Sequence, residues 1–225
     1  MKTLVTPFVT LLGLALPSQA AILIAYTTFP DEDTETTGTQ TITPQVAIPG
    51  FTGRIVQSVF DSRGGGGSTD GTYGPSLSTG ESGGNGYIRA NGTSILTITV
   101  TNSTGTAVQL GTLLFDTTYT NIEGTINLAY RFDNTGDYIA LESGLISDTA
   151  ATGNTGSASA DYRDQSVDVS SLSLNNGQSL TFRFLPEGSG SSFRVDNVAL
   201  LDIPEPSLAL LAAAGLIPLL RRRVR

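Results

Sequence analysis

The stretch Gly80-Glu81-Ser82-Gly83-Gly84 matches the Gly-x-Ser-x-Gly pattern that holds a serine nucleophile on a strained strand-to-helix turn. Such a serine needs a base, and the 225-residue chain contains no histidine. The segment also lies in a glycine-rich stretch instead of between a strand and a helix, so Ser82 is read as a chance match. Without His or Cys there is no Ser-His-Asp triad, imidazole base, His-ligated metal or disulfide. Two carboxylates suffice for glycoside hydrolysis. All but one of the 20 acidic residues fall within 21–203, however, so some pair meets any separation and the signal selects nothing. The chain is read as a non-enzyme.

Two other chemistries have candidates. Asp31, Asp33 and Glu35 alternate in an acidic loop, and Asp133, Asn134 and Asp137 fall in a predicted turn. Such oxygen donors suit a hard cation, so calcium is the candidate cofactor, although neither group has EF-hand spacing and solvated loop acids account for them as well. Sugar binding needs flat aromatic platforms beside hydrogen-bonding groups. The chain has no Trp and seven Tyr, of which Tyr73, Tyr87 and Tyr162 lie near polar loops and are the candidate glycan platforms. Tyr130 falls on an apolar face and is assigned to the core.

The elements that must carry these residues are strands. Charged residues make up only 14% of the chain, Gly is abundant at 26, and Lys, Met and Gln are scarce, a composition poor in helix formers. A β-prone run at 22–28 is followed by 45–60, which holds one or two strands broken at Pro49-Gly50. Residues 63–86 form a glycine-rich loop. From Tyr87 onward the period-two signal sharpens. Leu96, Ile98 and Val100 alternate with threonines. Val108, Leu110, Leu113 and Phe115 follow with one slip, consistent with a bulge at Gly111. Ile126, Leu128, Tyr130 and Phe132 alternate with Asn127, Ala129 and Arg131 up to a turn at 133–137. Asn175-Asn176-Gly177 is a hairpin signal before Leu180, Phe182 and Phe184, and Phe193, Val195, Val198 and Leu200 form the last strand. Short strands separated by turns predict an all-β, two-sheet antiparallel sandwich or jelly roll.

The two ends follow different rules. Met1-Lys2, an apolar run over 4–16 and Ser18-Gln19-Ala20 have the anatomy of a signal peptide over 1–20 cleaved after Ala20, a substrate for the Sec export machinery. Residues 204–225 comprise Pro204-Glu205-Pro206, an uncharged apolar helix candidate over 207–220, and Arg221, Arg222, Arg223 and Arg225. The apolar run is short of the roughly 20 residues of a full membrane span. The arginines would stay cytoplasmic and leave the preceding chain outside. This three-part order closely resembles the PEP-CTERM sorting signal of Gram-negative surface proteins. The resemblance implies transient inner-membrane anchoring, processing by an exosortase-type peptidase, delivery to the cell surface or extracellular matrix, and a link to exopolysaccharide.

Between the ends, 21–203 is one domain. Seven arginines face all the acids except Glu205 there, a balance of −12 that disfavours nucleic acid and anionic membranes. Within it, 177–184 and Phe193-Arg194-Val195-Asp196-Asn197-Val198-Ala199-Leu200 are similar to the closing strands of jelly-roll, galactose-binding-like carbohydrate modules. Asp196 and Asn197 are read as capping a bulge in the last strand, with Arg194 pairing an acid across the sheet. The reading is an exported structural or adhesive protein of the surface or biofilm matrix. The alternatives are a carbohydrate-binding module and a calcium-dependent adhesion domain.

Overall fold

The computed structural model describes residues 20–27, 29, 40–57, 62–63, 87–91, 95–119, 124–149, 162–187 and 192–203. Numbered in chain order, the described residues form 14 strands and no helix, within one compact unit, Ala21–Ile203. Five of them, Ile22–Tyr26, Leu96–Asn102, Val108–Tyr119, Ser179–Glu187 and Ser192–Asp202, supply most of the buried core cluster.

The strands make two antiparallel sheets, the expected sandwich. One sheet runs through β2 (Gln40–Ile42), β4 (Phe51–Gln57), β7 (Leu96–Asn102), β13 (Ser179–Glu187), β9 (Gly124–Phe132) and β10 (Ile139–Thr149). The other centres on the antiparallel pair β8 (Val108–Tyr119) and β14 (Ser192–Asp202). Strands β1 (Ile22–Tyr26) and β6 (Tyr87–Asn91) pair with β14, and β3 (Val46–Ala47) and β5 (Ser62–Arg63) extend these two. Strands β11 (Arg163–Asp168) and β12 (Ser173–Leu174) pair with β8. The end of β10 also meets β8, in parallel, at Thr118 and Tyr119.

Leu96, Ile98, Val100, Leu180, Phe182 and Phe184 from the first sheet close over Leu113, Phe115, Phe193, Val195 and Val198 from the second. Phe115 meets Phe184 edge-on across the gap, with ring centroids 5.0 Å apart at 83°. Each such buried side chain contributes roughly 1.5–3 kcal/mol, and the chain has no disulfide to supplement them.

Packing between the sheets is close at Gly53. A Cβ there would overlap Ile24 Cδ1 and lie 2.7 Å from the Tyr26 hydroxyl. Tyr26 is fully buried and its hydroxyl has no hydrogen-bond partner, so burial pushes its pKa well above the usual tyrosine range. At one end of the sandwich Asn102, also fully buried, uses its whole amide. Its Nδ2 donates to the Thr106 and Leu174 carbonyls, both at 2.7 Å, and its Oδ1 accepts from Thr104 N at 2.9 Å and Thr104 Oγ1 at 2.8 Å.

The bulges lie where side-chain chemistry allows them. The β14–β8 register shifts between Leu200 and Asp202, opposite the slip anticipated at Gly111, where a Cβ would overlap the Asp202 carbonyl. A second shift, between Asp196 and Ala199, brings Asn197 to φ 43°, the bulge expected for Asp196-Asn197. Asn175-Asn176-Gly177 does turn the chain, with Gln178 N donating to Asn175 O at 3.0 Å and Gly177 at φ 81°. It is not a hairpin, however: β12 before it pairs with β8, and β13 after it pairs with β7 and β9, so the turn carries the chain between sheets.

Asn102→Ala leaves two carbonyls and the Thr104 amide without their partner and should cost about 3 kcal/mol in chemical denaturation. Gly53→Ala should cost about 1–3 kcal/mol by overpacking. Tyr26→Phe should be neutral or stabilising by up to ~1 kcal/mol. Above the ordinary tyrosine pKa of about 10 the unfolded chain ionises Tyr26 while the folded chain resists, so stability falls as pH rises there. Tyr26→Phe should flatten that alkaline fall in melting temperature.

Candidate functional site

Pairing in the first sheet turns one face of β4, β7, β13 and β9 away from the core, and the register lines up its side chains in rows, with Thr99 and Thr181 themselves buried among their neighbours. Opposed residues share a face, so Thr52, Thr101 and Ser179 form one row and Arg54, Thr99, Thr181 and Arg131 the next. Val56, Thr97, Arg183 and Ala129 form a third. The face is polar because the alternate positions of these strands are hydroxyls and arginines, while the apolar set is spent on the core.

The hydroxyls are linked. Thr101 Oγ1 and Ser179 Oγ lie 2.7 Å apart, and Thr99 Oγ1 and Thr181 Oγ1 lie 3.0 Å apart. Thr181 Oγ1 donates to Asn134 Oδ1 at 3.1 Å. Thr52, Gly53, Arg54, Thr99, Thr101, Asn134 and Ser179 line an open depression of about 190 Å³. Beside it the Tyr138 ring, half-buried, carries two guanidiniums: Arg131 Cζ lies 4.5 Å and Arg183 Cζ 5.2 Å from its centroid. Arg54 stands exposed across the face. Among the described residues none of these three arginines makes an ion pair, and Nε of Arg131 and of Arg183 has no hydrogen-bond partner.

The turn that brings Tyr138 here was anticipated at 133–137. Asp133 and Asn134 take φ 51° and 53°, and Thr135 N donates to Phe132 O at 3.0 Å, the primed geometry that suits a tight hairpin between β9 and β10. The Asp133 carboxylate accepts from Ser179 N at 2.8 Å and Gln178 Nε2 at 3.4 Å, and the Asn134 amide oxygen from Thr181. These oxygens serve the fold, and Asp137 is exposed. Among the described residues no group of three acidic side chains is arranged to hold a metal.

The other sequence candidates are distributed differently. Asp31, Asp33, Glu35, Tyr73, Ser82 and the sorting residues Pro204, Glu205, Pro206, Arg221, Arg222, Arg223 and Arg225 lie outside the described residues, as does the signal peptide up to residue 19. Among the described residues no helix is long and apolar enough to cross a membrane. Tyr87 lies in β6, in the second sheet. Tyr162 is buried, 8% exposed, and offers no open ring. Tyr130 is half-buried against the core, as assigned. On the outer side of the second sheet Asp116, Asp196 and Asn197 are buried together. Asn197 Nδ2 donates to Asp116 Oδ2 at 3.1 Å, Asn197 N donates to Asp196 Oδ1 at 2.8 Å, and Arg194 stands buried opposite Thr118. This cluster shapes the bulge.

No family model matches the chain, and no curated protein does. Solved structures with similar strand arrangements include the CBM22-1 xylan-binding domain of Paenibacillus barcinonensis Xyn10C, 8% identical, covering 84% of this chain and 99% of that one at a TM-score of 0.41. The family 11 carbohydrate-binding module of Clostridium thermocellum, solved with a β-1,3-1,4-mixed-linked tetrasaccharide, is 12% identical over 76% of this chain and 99% of that one, at 0.32. The K3 cleaved adhesin domain of Porphyromonas gingivalis Lys-gingipain is 14% identical over 63% and 91%, at 0.33. At these scores the likenesses carry no assignment to this chain.

Asp133→Ala should destabilise the fold by about 1–2 kcal/mol, since it removes the acceptor for Ser179 N and puts alanine at positive φ. Asp133→Asn should be nearly neutral. Melting curves with calcium and with chelator should show the same Asp133→Ala deficit.

Proposed function

We propose that the chain is an exported, non-catalytic carbohydrate-binding domain that holds polysaccharide on the outer face of the β4–β7–β13–β9 rows. The observation that carries this reading is an open depression lined by linked hydroxyls, Asn134 and Arg54, with the Tyr138 ring and its two stacked arginines beside it. A sugar presents hydroxyls that both donate and accept, and faces of C–H bonds that pack on aromatic rings. A surface of Thr, Ser, Asn and Arg around a tyrosine answers both needs. The absence of His and Cys from the whole chain fits binding without turnover.

The ends of the sequence supply the setting. A signal peptide over 1–20 and a tail over 204–225 that resembles the PEP-CTERM signal support Sec export, transient inner-membrane anchoring, and release by an exosortase-type peptidase. The destination is then the cell surface or extracellular matrix, where a glycan-binding sandwich would act as an adhesive component on exopolysaccharide.

A polysaccharide array probed with the full chain in mild detergent tests this. Saturable binding is expected, weakened at least about tenfold by Tyr138→Ala, whose loss of ring packing is worth on the order of 1 kcal/mol or more. A folded chain that binds no glycan would leave a passive matrix role in its place. Binding indifferent to Tyr138→Ala would move the site off this face.

A further inference from the structure

We infer that the polysaccharide held on this face is acidic, a polymer with one carboxylate on each of its uronic acid units. The inference rests on the carbohydrate-binding reading and adds the charge of the ligand. Its basis is where the domain puts its few cations. Of the seven arginines in 21–203, Arg54, Arg131 and Arg183 stand on one sheet face, and the two rows that hold them contain no acidic residue. In a domain with a balance of −12, cations spread to relieve local repulsion would sit beside carboxylates. These three make no ion pair among the described residues. The nearest acid along the rows, Asp133, has its carboxylate on Ser179 N and Gln178.

The guanidiniums are also prepared for an anion. Tyr138 holds Arg131 and Arg183 through its ring face, an attraction that uses no N–H group. Nε of both is buried and Arg131 Nη2 reaches Asn134 Oδ1 at 3.5 Å, so the anion would be met by the remaining Nη groups. Planar carboxylates accept guanidinium N–H groups two bonds at a time. Strand spacing of about 4.8 Å places Arg54 and Arg131, three strands apart, roughly 14 Å from each other. That is longer than a monosaccharide, so the ligand is a chain. Three cations over that distance suit one charge per sugar. Duplex DNA, with about one charge per 1.7 Å, would meet too few of them and too much of the domain's own negative charge.

The experiment titrates the full chain with polygalacturonate and with the same polymer after reduction of its carboxyl groups, which keeps the backbone and removes the charge. Arg54→Gln and Arg183→Gln should each weaken binding to the acidic polymer about tenfold and leave the reduced polymer unchanged. Arg163→Gln, the same charge change at an exposed position on β11, should leave both unchanged. Arg54 is exposed, so its variant reports on binding even if loss of the Arg183–Tyr138 stack disturbs folding. Equal binding of the two polymers, or equal loss in Arg163→Gln, overturns the acidic ligand while the carbohydrate reading stands. Binding to neither polymer, with a neutral glycan captured on the array, overturns the acidic ligand alone. Binding to no glycan overturns both. Duplex DNA bound as tightly as polygalacturonate also overturns the inference.

Discussion

Everything at the closed end of the sandwich depends on the side chain of Asn102. A buried primary amide can make four hydrogen bonds, and Asn102 makes four, to Thr104 twice, Thr106 and Leu174. Its own backbone adds Gly177 N at 2.6 Å and Gln178 O at 3.1 Å. One residue at the end of β7 therefore fixes the turn into β8, the short strand β12, and the turn that returns the chain to β13. In a domain without cysteine, this polar knot does what a disulfide does elsewhere: it keeps the two sheets in a single registration. An apolar residue of the same size could fill the space but could not satisfy the carbonyls around it.

Registration is what makes the polar face a site. The rows Thr52–Thr101–Ser179 and Arg54–Thr99–Thr181–Arg131 exist only because β4, β7 and β13 are held in their present pairing. A slip of one residue in β13 would turn Thr181 and Arg183 into the core and expose Phe182. That slip is prohibitive, since Phe182 and Phe184 are fully buried. The core thus enforces the order of the surface, and the same alternation that hides the phenylalanines sets Arg183 beside Arg131. The linked hydroxyls are a consequence as well, because directly opposed threonines on one face come within hydrogen-bond distance.

How much of this could be read from the sequence follows from which strands obey period two. Strands β7, β9, β13 and β14 are visible because threonines, arginines and asparagines alternate with large apolar residues. Strand β10 was not recognised: its register shifts twice, at Ala140/Glu142 and Glu142/Leu145, with Gly144 at φ 70°, so its apolar residues fall out of phase. Strand β11 was hidden by polarity, since its buried Gln165 and Val167 look like surface and core in turn, and Gln165 Nε2 donates to Thr117 Oγ1 at 3.2 Å. For the site, proximity to polar loops selected Tyr73, Tyr87 and Tyr162 and passed over Tyr138. The signal that could have found Tyr138 lies elsewhere in the chain, in arginines at the outward positions of two strong strands. Joining Arg131 to Arg183 requires knowing that β9 and β13 are neighbours, which is long-range information that no local pattern holds.

The location of the domain's ends bears on how such a face can be used. Chain entry and exit are clasped together: Ala21 N donates to Asp202 Oδ1 at 2.6 Å, and Asp202 N to Ala21 O at 3.1 Å. Both residues belong to the second sheet, through β1 and β14, while the hydroxyl and arginine rows belong to the outer side of the first. The clasp also holds the start of β1 onto β14, where a loose first strand would expose unpaired backbone to other chains. Between the two sheets the core is close-packed, and the edge-on Phe115–Phe184 contact spans the gap directly.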